Sequence, residues 1–191
     1  MLIGSNNTLT YLEPCNCWLK VFKFLGRKQS RDYRDQYIYG GCRYFDLKLA
    51  VTKSNRMTVR NRCFIYNVFS IYEVMDYLNK MGDTIVHISL EITASEWIED
   101  TANAKETKFK EYCKILETIY ENIRFCGGNR TFDGENLYQF KNSSPSVFVA
   151  EKESIWYKLV SMVSPKFTRW LNGKYKKKYS SLHDIMLLNH I

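Results

Sequence analysis

Strand-length apolar segments alternate with helical ones along the chain, and this alternation restricts the fold more than any other feature. Residues 43–51 show it most clearly. Tyr44, Asp46, Lys48 and Ala50 fall on one face, and Phe45, Leu47, Leu49 and Val51 on the other, which is the period of a strand with one polar face. Residues 84–92 form a second strong strand pattern. Shorter candidates are 2–3, 63–66, 147–150 and 185–188. Between them lie helical patterns. Residues 32–39 read as a short helix closed by Gly40-Gly41. Ile71, Val74, Met75 and Leu78 sit at i, i+3, i+4 and i+7 behind a Ser70/Glu73 capping box, and Gly82 ends that helix. Over 105–125, Phe109, Tyr112, Leu116, Ile119, Tyr120 and Ile123 share a face. Residues 155–170 are helical or interfacial, with a break near Pro165. Such an order predicts βα units on a parallel sheet or barrel.

At 191 residues, 45% of them hydrophobic, the chain can bury a sizeable core and reads as one α/β domain. The polar connection over 99–107 is not a linker. Lys+Arg exceed Asp+Glu by 28 to 20, a net +8, which favours anionic partners such as phosphates, acidic lipid surfaces or nucleic acid. Six scattered cysteines without a CxxC pair read as free thiols; Cys15-Asn16-Cys17 is poorly spaced for zinc. Met1-Leu2-Ile3 runs at once into Gly4-Ser5-Asn6-Asn7, with no basic start and no apolar run. No stretch approaches the length of a membrane span. A soluble, cytoplasmic protein is expected, with or without peripheral membrane docking.

Three polar clusters fall at the C-terminal ends of expected strands: 4–8 (Gly-Ser-Asn-Asn-Thr), Asp46 with Lys48, and Glu91. In a barrel of parallel strands that rim collects catalytic groups.

Four segments in order carry a family resemblance: 3–11 (Ile-Gly-Ser-Asn-Asn-Thr-Leu-Thr-Tyr), Gln36 with 41–48 (Gly-Cys-Arg-Tyr-Phe-Asp-Leu-Lys), 59–66 followed by Phe69-Ser70, and 87–91 (His-Ile-Ser-Leu-Glu). Together they resemble the catalytic half of the phosphatidylinositol-specific phospholipase C-like phosphodiesterases over residues 1–92. Residues 100–191 show no specific likeness. The resemblance implies a TIM-type (β/α) barrel, compact or incomplete because 191 residues fall short of the ~250 of a full barrel. It implies one histidine that takes a proton from the attacking hydroxyl, a second that protonates the leaving alkoxide, and a cationic side chain or calcium that offsets phosphate charge.

Carried over by position, the first histidine falls on Asn6, and Asn7 matches the Asp or Asn beside it. Asp46 matches the acidic residue of the second strand. Lys48 stands where metal-independent members have Arg and calcium-dependent ones Asp. Glu91 matches a calcium ligand. The second histidine falls on Asn61, or on Arg62 if the register slips by one. An amide has no pKa near neutrality, so neither Asn6 nor Asn61 can shuttle protons, and each such role contributes ~10²–10⁴-fold. Lys48 also opposes a calcium ion. The expectation is a pseudoenzyme-like pocket that binds a phosphoester or phosphoinositide-like headgroup with little or no hydrolysis and no metal.

Two alternatives stay open. One is an active phosphoric diester hydrolase with a rebuilt acid–base pair, Glu91 and His190. The other is a basic adaptor that uses the barrel as a scaffold. His190 follows the last apolar run and so falls on the expected rim; a frayed terminus is the plainer reading. His183 precedes that run. His87 reads as a core or hydrogen-bonded histidine, and Asp46 with Lys48 can be a simple ion pair. Trp156, Tyr157, Val160, Val163, Phe167 and Trp170, with Lys158, Lys166, Arg169, Lys174, Lys176, Lys177 and Lys178, suit an anionic membrane surface or a helix packed on the barrel with a solvated basic loop. Nucleic acid is an unlikely partner, because no binding module accompanies the lysines.

Overall fold

The computed structural model describes residues 1–15, 18–52, 54, 56–61, 63–66, 70–92, 102–130, 136–142, 145–179 and 184–191. Cys17, Arg62, Phe69, His183 and residues 99–101 of the polar connection lie outside them.

The strands are β1 (Leu2–Ser5), β2 (Cys42–Val51), β3 (Met57–Asn61), β4 (Phe64–Tyr66), β5 (Thr84–Leu90), β6 (Ile123–Arg130), β7 (Asn136–Gln139), β8 (Val147–Val149) and β9 (Ile185–Leu188). The helices are α1 (Lys23–Gly26), α2 (Tyr33–Ile38), α3 (Ile71–Met81), α4 (Ala102–Ile119), α5 (Ala150–Glu153), α6 (Ile155–Val163) and α7 (Pro165–Tyr179).

All nine strands join one sheet in the order β7-β6-β5-β2-β1-β9-β8. Pairing is parallel from β6 to β8. The hairpin β3–β4 pairs antiparallel to the distal part of β2, and β7 is antiparallel to β6. The sheet is not closed into a barrel: among the described residues β6 and β8 do not pair. Both halves of the chain share it, because β1 lies between β2 and β9.

One face carries the main core. Phe45, Leu47, Leu49, Val86, Ile88, Met186 and Leu188 pack there under Val74 and Leu78 of α3, Phe109 and Leu116 of α4, and Tyr157 of α6. The opposite face holds a smaller cluster of Tyr44, Cys126, Ile185 and Leu187, flanked by Ile85, Val147 and Val149. Strand register puts Gly4, Tyr44, Ile85 and Leu187 at one level. A Cβ on Gly4 would lie 3.0–3.1 Å from Tyr44, Ile185 and Leu187, so a side chain there has no room. Two residues further along each strand direction come Asn6, Asp46, His87, Asn189 and Glu151. Alternation keeps Asp46 and His87 on the side of the smaller apolar cluster, and hydrogen bonds from Asn6 to Asn189 and Glu151 complete this polar level.

Three local expectations need correction. The pattern over 105–125 does not stay helical: α4 stops at Ile119 and Ile123–Arg130 is a strand. Phe125 and Ile123 are buried by parallel pairing with β5, and a buried strand residue supplies the same apolar signal as a helix face. The likeness of 59–66 to a further barrel strand is met by an antiparallel hairpin. Ser70 caps α3 without a side-chain bond; Glu73 instead reaches Arg34 at 3.0 Å.

Candidate functional site

A cavity of about 440 Å³ opens at the C-terminal ends of the strands, lined by Asn6, Asn7, Lys28, Lys48, Asn61, Val149, Glu151, Lys152, Ile155 and Lys158. Four residues singled out in the sequence (Asn6, Asn7, Lys48 and Asn61) meet here. Lys28, Glu151 and Lys152 carried no such signal, and Lys158 was read only as part of the basic aromatic run; they come from the β1–β2 connection and from α5 and α6.

Asn6 follows β1 directly, and its hydrogen bonds are fully committed. Its backbone N donates to Leu188 O (3.0 Å) and its O accepts from Gln29 Nε2 (3.0 Å). Nδ2 donates to Asn189 Oδ1 (2.7 Å) and Glu151 Oε2 (3.1 Å), and Oδ1 accepts from Asn7 Nδ2 (3.1 Å). Both donors and the acceptor of the amide are therefore used. Asn7 adopts a left-handed backbone, φ 49°, a conformation that Asn tolerates. This aims its N–H at Asp46 Oδ2, 3.2 Å away. Its Oδ1 is buried without a hydrogen-bond partner among the described residues.

Asp46 is buried under this turn. Its other oxygen, Oδ1, meets His87 Nδ1 at 3.0 Å, a direct consequence of the pairing of Asp46 with His87 across β2 and β5. Asp46 thus holds the Asn7 turn and the His87 ring, and forms no ion pair with Lys48. Lys48, two residues on and half-buried, lines the cavity without an ion pair to any described residue. Asn61 is locked from the β3–β4 hairpin by a bond from Nδ2 to Gly26 O (2.7 Å).

Thr10 and Gln29 place Lys28. Thr10 Oγ1 accepts from the backbone N of Lys28 (2.8 Å) and of Gln29 (3.1 Å). The fully buried Gln29 side chain donates to Asn6 O and Leu188 O and accepts from Ile191 N, tying the end of β1 to the end of β9. Lys28 Nζ then meets Glu151 Oε1 at 2.7 Å. Among the lining residues four lysines face one carboxylate, a formal net charge of +3. Closely spaced cations at the mouth of an apolar plug raise the local potential for anions.

The remaining expected residues lie elsewhere. Glu91, just past β5, does not line the cavity; its backbone N donates to Leu49 O (2.7 Å). His190 follows β9 but is buried, with Nε2 2.6 Å from Ser161 O, and it too is absent from the lining. Burial, with Arg27, Arg169 and Lys28 nearby, pulls its pKa down to about 4, so it is neutral near pH 7. Lys174, Lys177 and Lys178 are exposed on α7, and Lys176 is partly buried there with its pKa lowered by desolvation; the basic run is helical, where a loop was expected. Among the described residues no group of three His, Cys, Asp or Glu is placed to hold a metal ion. No disulfide joins the five described cysteines, and burial pushes the Cys42 thiol up to about 12. No described helix is long and apolar enough to cross a membrane.

Compared with known proteins, the chain matches no family model and no curated sequence.

Proposed function

We propose that this protein is a degenerate phospholipase C-like phosphodiesterase that binds a phosphoester or phosphorylated headgroup and hydrolyses it little or not at all. The observation that carries the reading is the cationic cavity at the strand ends, with Lys28, Lys48, Lys152 and Lys158 around it. In this reading the parallel strands are a (β/α) barrel opened between β6 and β8. Its support is the sequential order β8-β9-β1-β2-β5-β6 around the sheet, in which the last strand returns to the first.

The two asparagines fit a binding role. Asn6 spends its amide on Asn189, Glu151 and Asn7, and Asn61 spends its amide on Gly26. Neither carries a proton to exchange. Lysine ammonium groups supply charge, and Asn7 Oδ1, without a partner among the described residues, can accept from a hydroxyl of a polyol headgroup. The test is a thermal-shift and calorimetric titration with inorganic phosphate, inositol phosphates and glycerophosphodiesters, alongside Lys48→Met. Stabilisation by a phosphate-bearing ligand, weakened in the variant, is the expected result. No shift with any of them overturns the reading.

A further inference from the structure

Beside the cavity the surface turns apolar. Ile155, which lines the cavity, is 80% exposed; Trp156 on α6 is 74% and Val163 79% exposed, with Leu159 also open to solvent. On a helix these four positions span one arc of about 100°. Phe22 and Phe24, in and before α1, are exposed too, and α1 packs against α6. Large exposed aromatic and aliphatic side chains grouped in this way mark an interaction surface.

Charge identifies what covers it. Residues 154–179 contain seven Lys and Arg and no Asp or Glu; residues 15–31 contain five and none. The rest of the chain therefore keeps 16 of the 28 basic residues against all 20 acidic ones. The net positive charge of the whole protein comes from the two segments that build the apolar surface and its surroundings. Lys152 and Lys158 line the cavity together with Ile155 of that surface. A second copy is a poor occupant, because a two-fold contact would set lysines against lysines with no carboxylate in either segment. Aromatic and aliphatic side chains framed by lysines match the headgroup–acyl boundary of an anionic bilayer, where apolar insertion and cationic attraction add.

We infer that α6 and the adjoining α1 dock the protein on anionic lipid surfaces, so that the cationic cavity opens at headgroup level. This deepens the headgroup-binding reading, yet docking and cavity occupancy fail separately.

The test is co-sedimentation of the full chain with phosphatidylcholine vesicles with and without about 30% phosphatidylserine, at low and high salt. Binding to the anionic vesicles, weakened by salt, is expected. A Trp156→Ala/Val163→Ser variant loses at least tenfold of it while keeping its thermal midpoint and its response to inorganic phosphate. Lys48→Met keeps vesicle binding and loses the phosphate response. No sedimentation with anionic vesicles at low salt overturns the inference, as does unchanged binding by the double variant. A dimer in sedimentation velocity that the double variant breaks also overturns it, and assigns the surface to self-association.

Discussion

Lys28 Nζ and Glu151 Oε1 lie 2.7 Å apart across 123 residues of sequence, both largely withdrawn from solvent. The pair fastens the β1–β2 connection to α5 and places one negative charge among the lysines of the cavity. Its two halves are not equivalent. Glu151 also accepts from Asn6 and Asn189, so it remains solvated by amides if Lys28 is removed. Lys28 loses its carboxylate partner if Glu151 is removed.

Glu151→Gln is therefore expected to lower stability by about 3–5 kcal/mol, the range of a broken buried pair, and at the same time to tighten inorganic phosphate binding. Chemical denaturation and phosphate titration of the same sample read the two effects, which have opposite sign. A purely structural role for the pair predicts the first without the second.

Lys48→Met removes a half-buried cation that pairs with no described residue. Stability is expected to change by less than about 0.5 kcal/mol, as at a position outside any buried network. Phosphate affinity is expected to fall about tenfold or more, the loss of one hydrogen bond to a charged group. Calorimetry measures the affinity and a melting curve the stability.

Asn6→His puts back a histidine where the resemblance has its proton acceptor. The amide it replaces donates to two acceptors and accepts from Asn7, so the imidazole leaves buried polar groups unmatched at about 1–3 kcal/mol. The variant is expected to be less stable and still to show no turnover of a chromogenic phosphodiester, with or without calcium, because Asn61 remains an amide. Turnover by the unaltered protein would refute the non-hydrolytic reading.

His190 predicts a pH dependence. Its pKa is held at about 4 in the fold, against 6.5 as its ordinary value. Between these values the unfolded chain binds a proton that the folded one does not, so stability rises with pH from about 4 to 6.5 and is flat above. The span is about 3 kcal/mol by linkage. Denaturation midpoints of the protein and of His190→Gln, followed from pH 4 to 7.5, should diverge only below about 6.5. Parallel curves would remove the assignment.

The strands at 43–51, 84–92 and 185–188 were legible because alternation or a short apolar run survives without its partners. So was the location of Asn6, Asn7, Lys48 and Asn61, which the structure gathers around one cavity. Lys28 and Glu151 were not legible. Their roles depend on a contact between segments far apart in sequence, and nothing near either residue announces it. β6 was hidden because Ile123 continues the helical spacing of Phe109, Leu116 and Tyr120, and strand pairing with β5 overrode that periodicity. His190 reached the expected end of β9, but Ser161 and the surrounding burial took it out of the cavity.

β1 is held on one side by β2 and on the other by β9, and this fixes when the cavity can exist during synthesis. Until residues 185–189 have left the ribosome, one flank of β1 is a bare template for foreign strands, Gln29 lacks Leu188 O, and Asn6 lacks Asn189. By then the nascent chain already carries every lysine of the cavity, but the floor that orients them waits for residues 185–189.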